Sequence, residues 1–285
     1  MSNTIELAKS FVPKLDECYR LASLTSVLDG APELAKQGAN ANELIIPMMS
    51  MDGLADYSRN GGGVTMTNET VKCNFDRGRR FDVDVMDDLE TAGLAFGRLS
   101  AQFIRDKVVP ELDAFRFASY CGISGVTKKE ETLADGAATV AALSAAVTAM
   151  DDEEVTATGR YLFITPTLLQ GINDMDTTKS KKVLEGFEQV IKVPQRRFYT
   201  AIKQLSGKTG EEAGGYTKAA GAANINFAIV QKDALIQYTK HAAPKIIAPE
   251  NNPDADAYVF GYRMVGIAKA YKNMLSGMYF SHDKA

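Results

Sequence analysis

The sequence predicts an α+β fold, laid out as a projecting hairpin, one long helix and a mixed region of short helices and strands. Three observations carry this expectation. Apolar runs at 44–51 and 64–75 flank a turn rich in glycine; apolar residues then recur at helical spacing over 87–121; short strands and helices alternate from there to the C-terminus.

Taken in order, residues 1 to about 40 form a lead-in containing Pro13 and Pro32. Leu15, Tyr19, Leu21, Leu24 and Leu28 fall along one side of a short helix there, as expected of an arm that packs on something else. Leu44 to Met51 and Val64 to Phe75 read as the two strands of a long hairpin, with Gly53 and Gly61-Gly62-Gly63 in the tip. Val71, Cys73 and Phe75 share one parity, whereas Val64 and Met66 take the other. A bulge or break near Asn68 is the expected remedy. Leu54, Tyr57 and Arg59 sit at the tip, with little core of their own to enter.

Phe81, Val83 and Val85 alternate with Asp82 and Asp84, predicting a short strand with an acidic face. The period changes at Asp87, which suits a helix cap with Glu90 reaching back to it. Leu89, Phe96, Leu99, Phe103, Val108, Leu112 and Phe115 continue at helical spacing. Helical throughout, 87–121 spans about 50 Å at 1.5 Å per residue, and Pro110, which lacks an N–H, should bend it. Further on, the pattern predicts a helix over 134–150 ended by Asp151 to Glu154, a strand over 160–165, and a helix over 167–172 after Pro166. A strand over 187–193, a glycine-rich loop over 206–221, a strand over 225–230 and a short helix over 233–240 come next. Two extended runs, 258–271 and 274–280, meet at a turn near Lys272-Asn273.

Composition narrows the function classes. At 285 residues the chain suits one large domain or two moderate ones, and 45% apolar with 24% charged residues is ordinary for a folded protein. A net charge of −4 with scattered Lys and Arg argues against a chain-wide nucleic-acid reader; the short basic clusters are Arg77-Gly78-Arg79-Arg80, Lys179 to Lys182 and Arg196-Arg197. Cys18, Cys73 and Cys121 lie far apart with no C-x-x-C pair, as expected of a chain that folds in a reducing compartment. The N-terminus lacks the pattern of a signal peptide. The stretch Ala137 to Met150 is too short and too rich in Ala, Ser and Thr to span a bilayer, so a soluble intracellular product is expected.

No reaction centre emerges. Gly207-Lys208-Thr209 ends like a phosphate loop, but such a loop needs glycine five positions before the Gly-Lys pair, and position 202 is Ile202. His241 and His282 have no second His or Cys at ligand spacing. Ser281-His282-Asp283 spells a triad in order, yet triads are assembled in space from separate elements. The acidic clusters at 82–88 and 151–154 lack the alternating loop and glycine of a calcium site. No catalytic residue, cofactor or metal is expected.

Several motifs together resemble a known family. Asp56-Tyr57-Ser58-Arg59-Asn60-Gly61-Gly62 is similar to a hairpin tip, and Asp76-Arg77-Gly78-Arg79-Arg80-Phe81 with Met86-Asp87-Asp88-Leu89-Glu90-Thr91-Ala92 to the approach to a spine helix. Phe103-Ile104-Arg105, Val108-Val109-Pro110-Glu111-Leu112-Asp113 and Phe115-Arg116-Phe117-Ala118 resemble the spine itself. Glu212-Ala213-Gly214-Gly215-Tyr216, Ile236 to Ala243 and Asp254 to Tyr262 extend the likeness. The family is the major capsid proteins of tailed double-stranded-DNA phages, whose Hong Kong phage fold is shared with herpesvirus capsid floors and encapsulins. The resemblance covers 43–120 and 195–282.

The resemblance implies an N-arm (1–42), an extended hairpin loop (43–76), a peripheral domain with the spine helix (77–125), an axial domain (126–239) and returning peripheral strands (240–285). It implies a structural protein, not an enzyme, that self-assembles as hexamers and pentamers into an icosahedral shell around DNA bound without sequence specificity. A portal, a separate scaffolding protein, assembly in the host bacterial cytoplasm and residence in the virion follow, with no membrane partner. An encapsulin-like compartment enclosing protein cargo is the alternative. Leu54, Tyr57, Arg59, Arg77, Arg79 and Arg80 are the expected inter-subunit contacts, with an intrachain ion pair as the competing role for each arginine. A Lys–Asn cross-link between subunits, found in some relatives, is not expected: the hairpin holds only Lys72, and Asn273 lies in a terminal turn.

Overall fold

The computed structural model describes residues 23–30, 36–37, 43–51, 63–86, 101–175 and 178–284. The fold is α+β, as predicted. Strands β1 (Lys36–Gln37), β2 (Glu43–Met51) and β3 (Val64–Lys72) form an antiparallel ribbon in the order β1-β2-β3. The hairpin runs in unbroken register from Glu43↔Lys72 to Met51↔Val64, so the bulge expected near Asn68 is absent, and Asn68 stands opposite Pro47. The change of parity has another cause. At the hairpin base Val71 is buried against Ile236 and Ile267, whereas at the distal end Val64 is 65% exposed. A strand that packs at one end only has no need to keep one face apolar throughout.

The real interruption falls at Cys73-Asn74. There the Asn74 side chain donates to the Ala268 carbonyl (2.9 Å) and accepts from its N–H (2.9 Å), standing in for a backbone rung. Strand β4 (Phe75–Asp84) follows, longer than the 81–85 run predicted, with its burial alternating as half-buried strands do. The proposed cap at Asp87 and Glu90 and the first part of the spine lie outside the described residues. From 101 the chain is helical to 122. Ile104–Val108 is wound as a π-helical turn before helix α1 (Val109–Gly122), which carries Pro110 in its first turn. Pro110 offers no N–H to the turn before it, and the widened winding is the local answer.

Beyond β5 (Thr127–Glu130), helix α2 (Gly136–Asp152) starts at Asp135, whose carboxylate caps Ala138 N–H at 2.8 Å. Glycine is required at its first residue, because a Cβ on Gly136 would lie 2.2 Å from the Gly171 carbonyl oxygen. β6 (Arg160–Ile164), helix α3 (Pro166–Asp174), helix α4 (Thr178–Glu185) and β7 (Gln189–Lys192) follow. α4 was not predicted; its apolar residues, Val183 and Leu184, stand at one end of a lysine-rich stretch. β8 (Ile202–Gln204) and β9 (Tyr216–Lys218) pair around the glycine-rich loop, and β10 (Ile225–Gln231) runs through the core.

The helix expected at 233–240 is wrong. A single 3₁₀ turn leads into β11 (Leu235–Ile247), paired antiparallel with β12 (Ala257–Ala270) from Leu235↔Ala270 to Ile247↔Val259. Long-range pairing, which supplies every rung of this ladder, overrides the local pattern. The two returning runs also part company. β12 joins the sheet β11-β12-β4, while β13 (Met278–His282) joins β5-β13-β10-β6-β7.

That five-stranded sheet is covered on both faces. Tyr161, Phe163, Ala228 and Val230 meet Phe117, Tyr120 and Cys121 of α1. Leu162, Ile164, Phe227 and Ile229 meet Ala142, Leu143 and Ala146 of α2 and Leu169 and Ile172 of α3. The upstream half of the spine packs elsewhere: Ile104, Val109 and Leu112 lie on Phe75, Phe260, Tyr262 and Met264 of the three-stranded sheet. One helix thus bridges two cores.

Candidate functional site

The arginines of β4 divide by alternation. Arg77 and Arg79 face inward beside the spine, and Arg80 faces out. Arg77 donates from Nε to Glu111 Oε1 (2.8 Å) and from Nη2 to the carbonyls of Leu205 (2.7 Å) and Gly215 (3.3 Å). Arg79 Nη2 donates to the Glu212 carbonyl (2.8 Å), and its guanidinium lies 5.9 Å from the Phe81 ring centroid. Arg80 pairs with its neighbour Asp82 at 2.9 Å, in solvent. Within one chain, Arg77 therefore ties the glycine-rich loop to the spine through Glu111, and Arg79 ties the same loop to β4. Gly214, at φ 62°, leaves the space; a Cβ there would lie 2.8 Å from Arg79 Nη1. Leu54, Tyr57 and Arg59 lie outside the described residues.

The clamped loop carries its own ion pair. Glu211 accepts from Lys203 Nζ (2.7 Å) and from Ser206 N–H (2.7 Å). Lys203 first, then Ser206, hold its carboxyl at a pKa of about 2 against an ordinary 4.5. The folded value is the lower one, so its contribution to holding the loop is fully present above about pH 4.5 and is lost as pH falls towards 2. A carboxyl titration by NMR should place Glu211 near 2; a midpoint near 4.5 would mean that the loop is not held this way.

A second polar cluster, not singled out from the sequence, joins the arm to the spine. Asp113 is wholly buried. It accepts from Ser23 Oγ (2.9 Å), Thr25 Oγ1 (2.7 Å), Leu24 N–H (3.2 Å), Thr25 N–H (3.3 Å) and Arg197 Nη1 (3.2 Å). One turn on, Arg116 donates to Thr25 Oγ1 (2.8 Å) and Asp29 Oδ1 (3.1 Å). Gln237 of β11 donates to the Thr25 carbonyl (2.6 Å) and Asp29 Oδ1 (2.8 Å), and accepts from Tyr120 OH (2.6 Å). Burial holds the Tyr120 phenol well above its ordinary pKa. Of the lead-in, residues 23–30 dock on their own spine, with Leu28 in the core and one 3₁₀ turn at Ser26–Leu28; Leu15, Tyr19 and Leu21 of the expected helix lie outside the described residues. The available signal was Asp113 and Arg116 lying on the stripe of Leu112, Phe117 and Tyr120.

Among the described residues, no three His, Cys, Asp or Glu side chains gather as a metal site, and no helix is long and apolar enough to cross a membrane. Cys73 and Cys121 are free thiols.

No protein-family model matches the sequence, and no curated protein does. Solved structures do match. The capsid of Helicobacter pylori bacteriophage KHP30 aligns with a TM-score of 0.58 at 10% identity, over 93% of this chain and 91% of that one. The virus-like particle from Pyrococcus furiosus aligns at 0.60 and 10% identity, over 96% and 98%. The capsid of Cyanophage P-SCSP1u aligns at 0.53 and 12% identity, over 87% and 85%. The chain has the phage capsid fold. At these identities the likeness is one of fold, and it spans nearly all of each chain. In capsid-fold terms, the polar cluster on Asp113 ties residues 23–30 to the spine, and Arg77 of β4 ties the glycine-rich loop to the same helix.

Proposed function

We propose that this chain is the major capsid protein of a tailed double-stranded-DNA phage, assembling as hexamers and pentamers into an icosahedral shell around packaged DNA. The observation that carries the reading is the whole-chain likeness to phage capsids, 85–93% of both partners for KHP30 and P-SCSP1u. The role is structural rather than catalytic. The domain plan of arm (1–42), hairpin loop (43–76), peripheral domain (77–125), axial domain (126–239) and returning strands (240–285) belongs to the same proposal. So do a separate scaffolding protein, a portal, and assembly in a bacterial host's cytoplasm. The likeness to the Pyrococcus furiosus particle favours a second reading, an encapsulin-like compartment around protein cargo.

What the particle contains separates the two. Shells purified from infected cells should protect long double-stranded DNA from nuclease; shells filled with a protein and empty of DNA would favour the compartment. The hairpin tip, with Leu54, Tyr57 and Arg59, is the proposed inter-subunit contact, alongside Arg80 on the outer face of β4 and the loop-clamping Arg77 and Arg79. Arg59→Ala should abolish shell formation and leave the subunit folded by circular dichroism; normal shells from that variant would remove Arg59 from the contact.

A further inference from the structure

Resting on the capsid reading, we propose that the basic cleft beside the spine receives the acidic turn Asp151-Asp152-Glu153-Glu154 of a neighbouring copy, head to tail. The cleft, of about 1010 Å³, lies between β4, the π-helical turn and the glycine-rich loop. Arg79, Lys107, Arg196 and Lys218 line it, and among the described residues none has a carboxylate within 4.0 Å. The carboxylates on its wall are already matched, Asp106 by Arg105 (3.2 Å) and Glu111 by Arg77 (2.8 Å). Among the described residues, positive charge without a carboxylate partner is thus gathered in one hollow of a chain whose net charge is −4.

The acidic turn has the opposite imbalance. It stands at the C-terminal end of α2, where the helix dipole is negative and added carboxylates are unfavourable. All four side chains are exposed, and among the described residues only Asp151 has a cation, Arg160 at 2.7 Å. Glu154 holds φ 56°, the single non-glycine residue in the left-handed region among those described. A surplus of like charge on a strained, exposed turn costs the isolated subunit and is relieved by a cationic partner.

Within one copy, none of the four acidic residues is among those lining the cleft, and Asp151 is paired instead with Arg160. A contact between two different patches is heterologous, and repetition of it closes rings when the rotation allows. That is the kind of contact a hexamer or pentamer needs.

Charge reversal tests the contact. One variant carries Asp152→Lys, Glu153→Lys and Glu154→Lys, leaving the Asp151–Arg160 pair intact; the other carries Lys107→Glu and Arg196→Glu, both at exposed positions. Each alone should keep the wild-type circular dichroism spectrum and assemble at least about tenfold more slowly at low salt. Mixed in equal amounts, the two are complementary only in alternation. The mixture should therefore form six-membered rings, flat sheets and tubes, and no five-membered rings or closed shells. Wild-type assembly speed in either variant alone, no gain on mixing, or five-membered rings in the mixture would each overturn the contact and leave the capsid reading standing. A wild-type chain that forms no shell under any of these conditions overturns the capsid reading and this contact with it.

Discussion

Replacing Asp113 with alanine is expected to lower stability by about 3–5 kcal/mol, the usual penalty for stripping one partner from a buried charged cluster. Arg197 loses its Asp113 bond while its Nε is already buried without a partner among the described residues. Ser23, Thr25 and the amides of Leu24 and Thr25 lose their acceptor together. The urea midpoint should fall, and amide exchange should show 23–30 losing protection before the two sheets do. Asp113→Asn keeps an acceptor and should fall between the two. A midpoint within about 0.5 kcal/mol of wild type, with 23–30 still protected, would mean that this cluster does not hold the arm.

Phe117→Ala should cost a similar amount, about 3–5 kcal/mol, through lost burial and the cavity left behind. Phe117 is fully buried, with ring centroids 5.1 Å from Phe163 and 4.8 Å from Phe198. It is the point where the spine, the five-stranded sheet and the 195–198 turn meet, so its removal should loosen all three. Phe117→Leu, which fills most of the space, should cost distinctly less. Equal losses for the alanine and leucine variants would show that the site does not depend on packing volume.

Elements whose signal is local were legible: the hairpin strands from their apolar runs, β4 from Phe81 and Val83 alternating with Asp82, and the 101–122 helix from residues three and four apart. Pro110 marked where the helix changes its winding. What failed depends on distant partners. β11 is a strand because β12 lies beside it, and nothing within 235–247 announces that. The register of the hairpin could not be judged from parity while the depth of its docking was unknown. Arg77 and Arg79 were recognised as a cluster, yet their loop partners lie more than 120 residues away, at Leu205, Glu212 and Gly215. The cluster on Asp113 was hidden for the same reason, since Ser23, Arg197 and Gln237 converge from three separate parts of the chain.

The proposed function is shell building. Electron microscopy of the purified chain, with and without a candidate scaffolding protein, tests it most directly. Icosahedral shells, or free hexamers and pentamers on the way to them, are expected, with the spine and both sheets traceable in each subunit. A uniform monomer or dimer in every condition would contradict it.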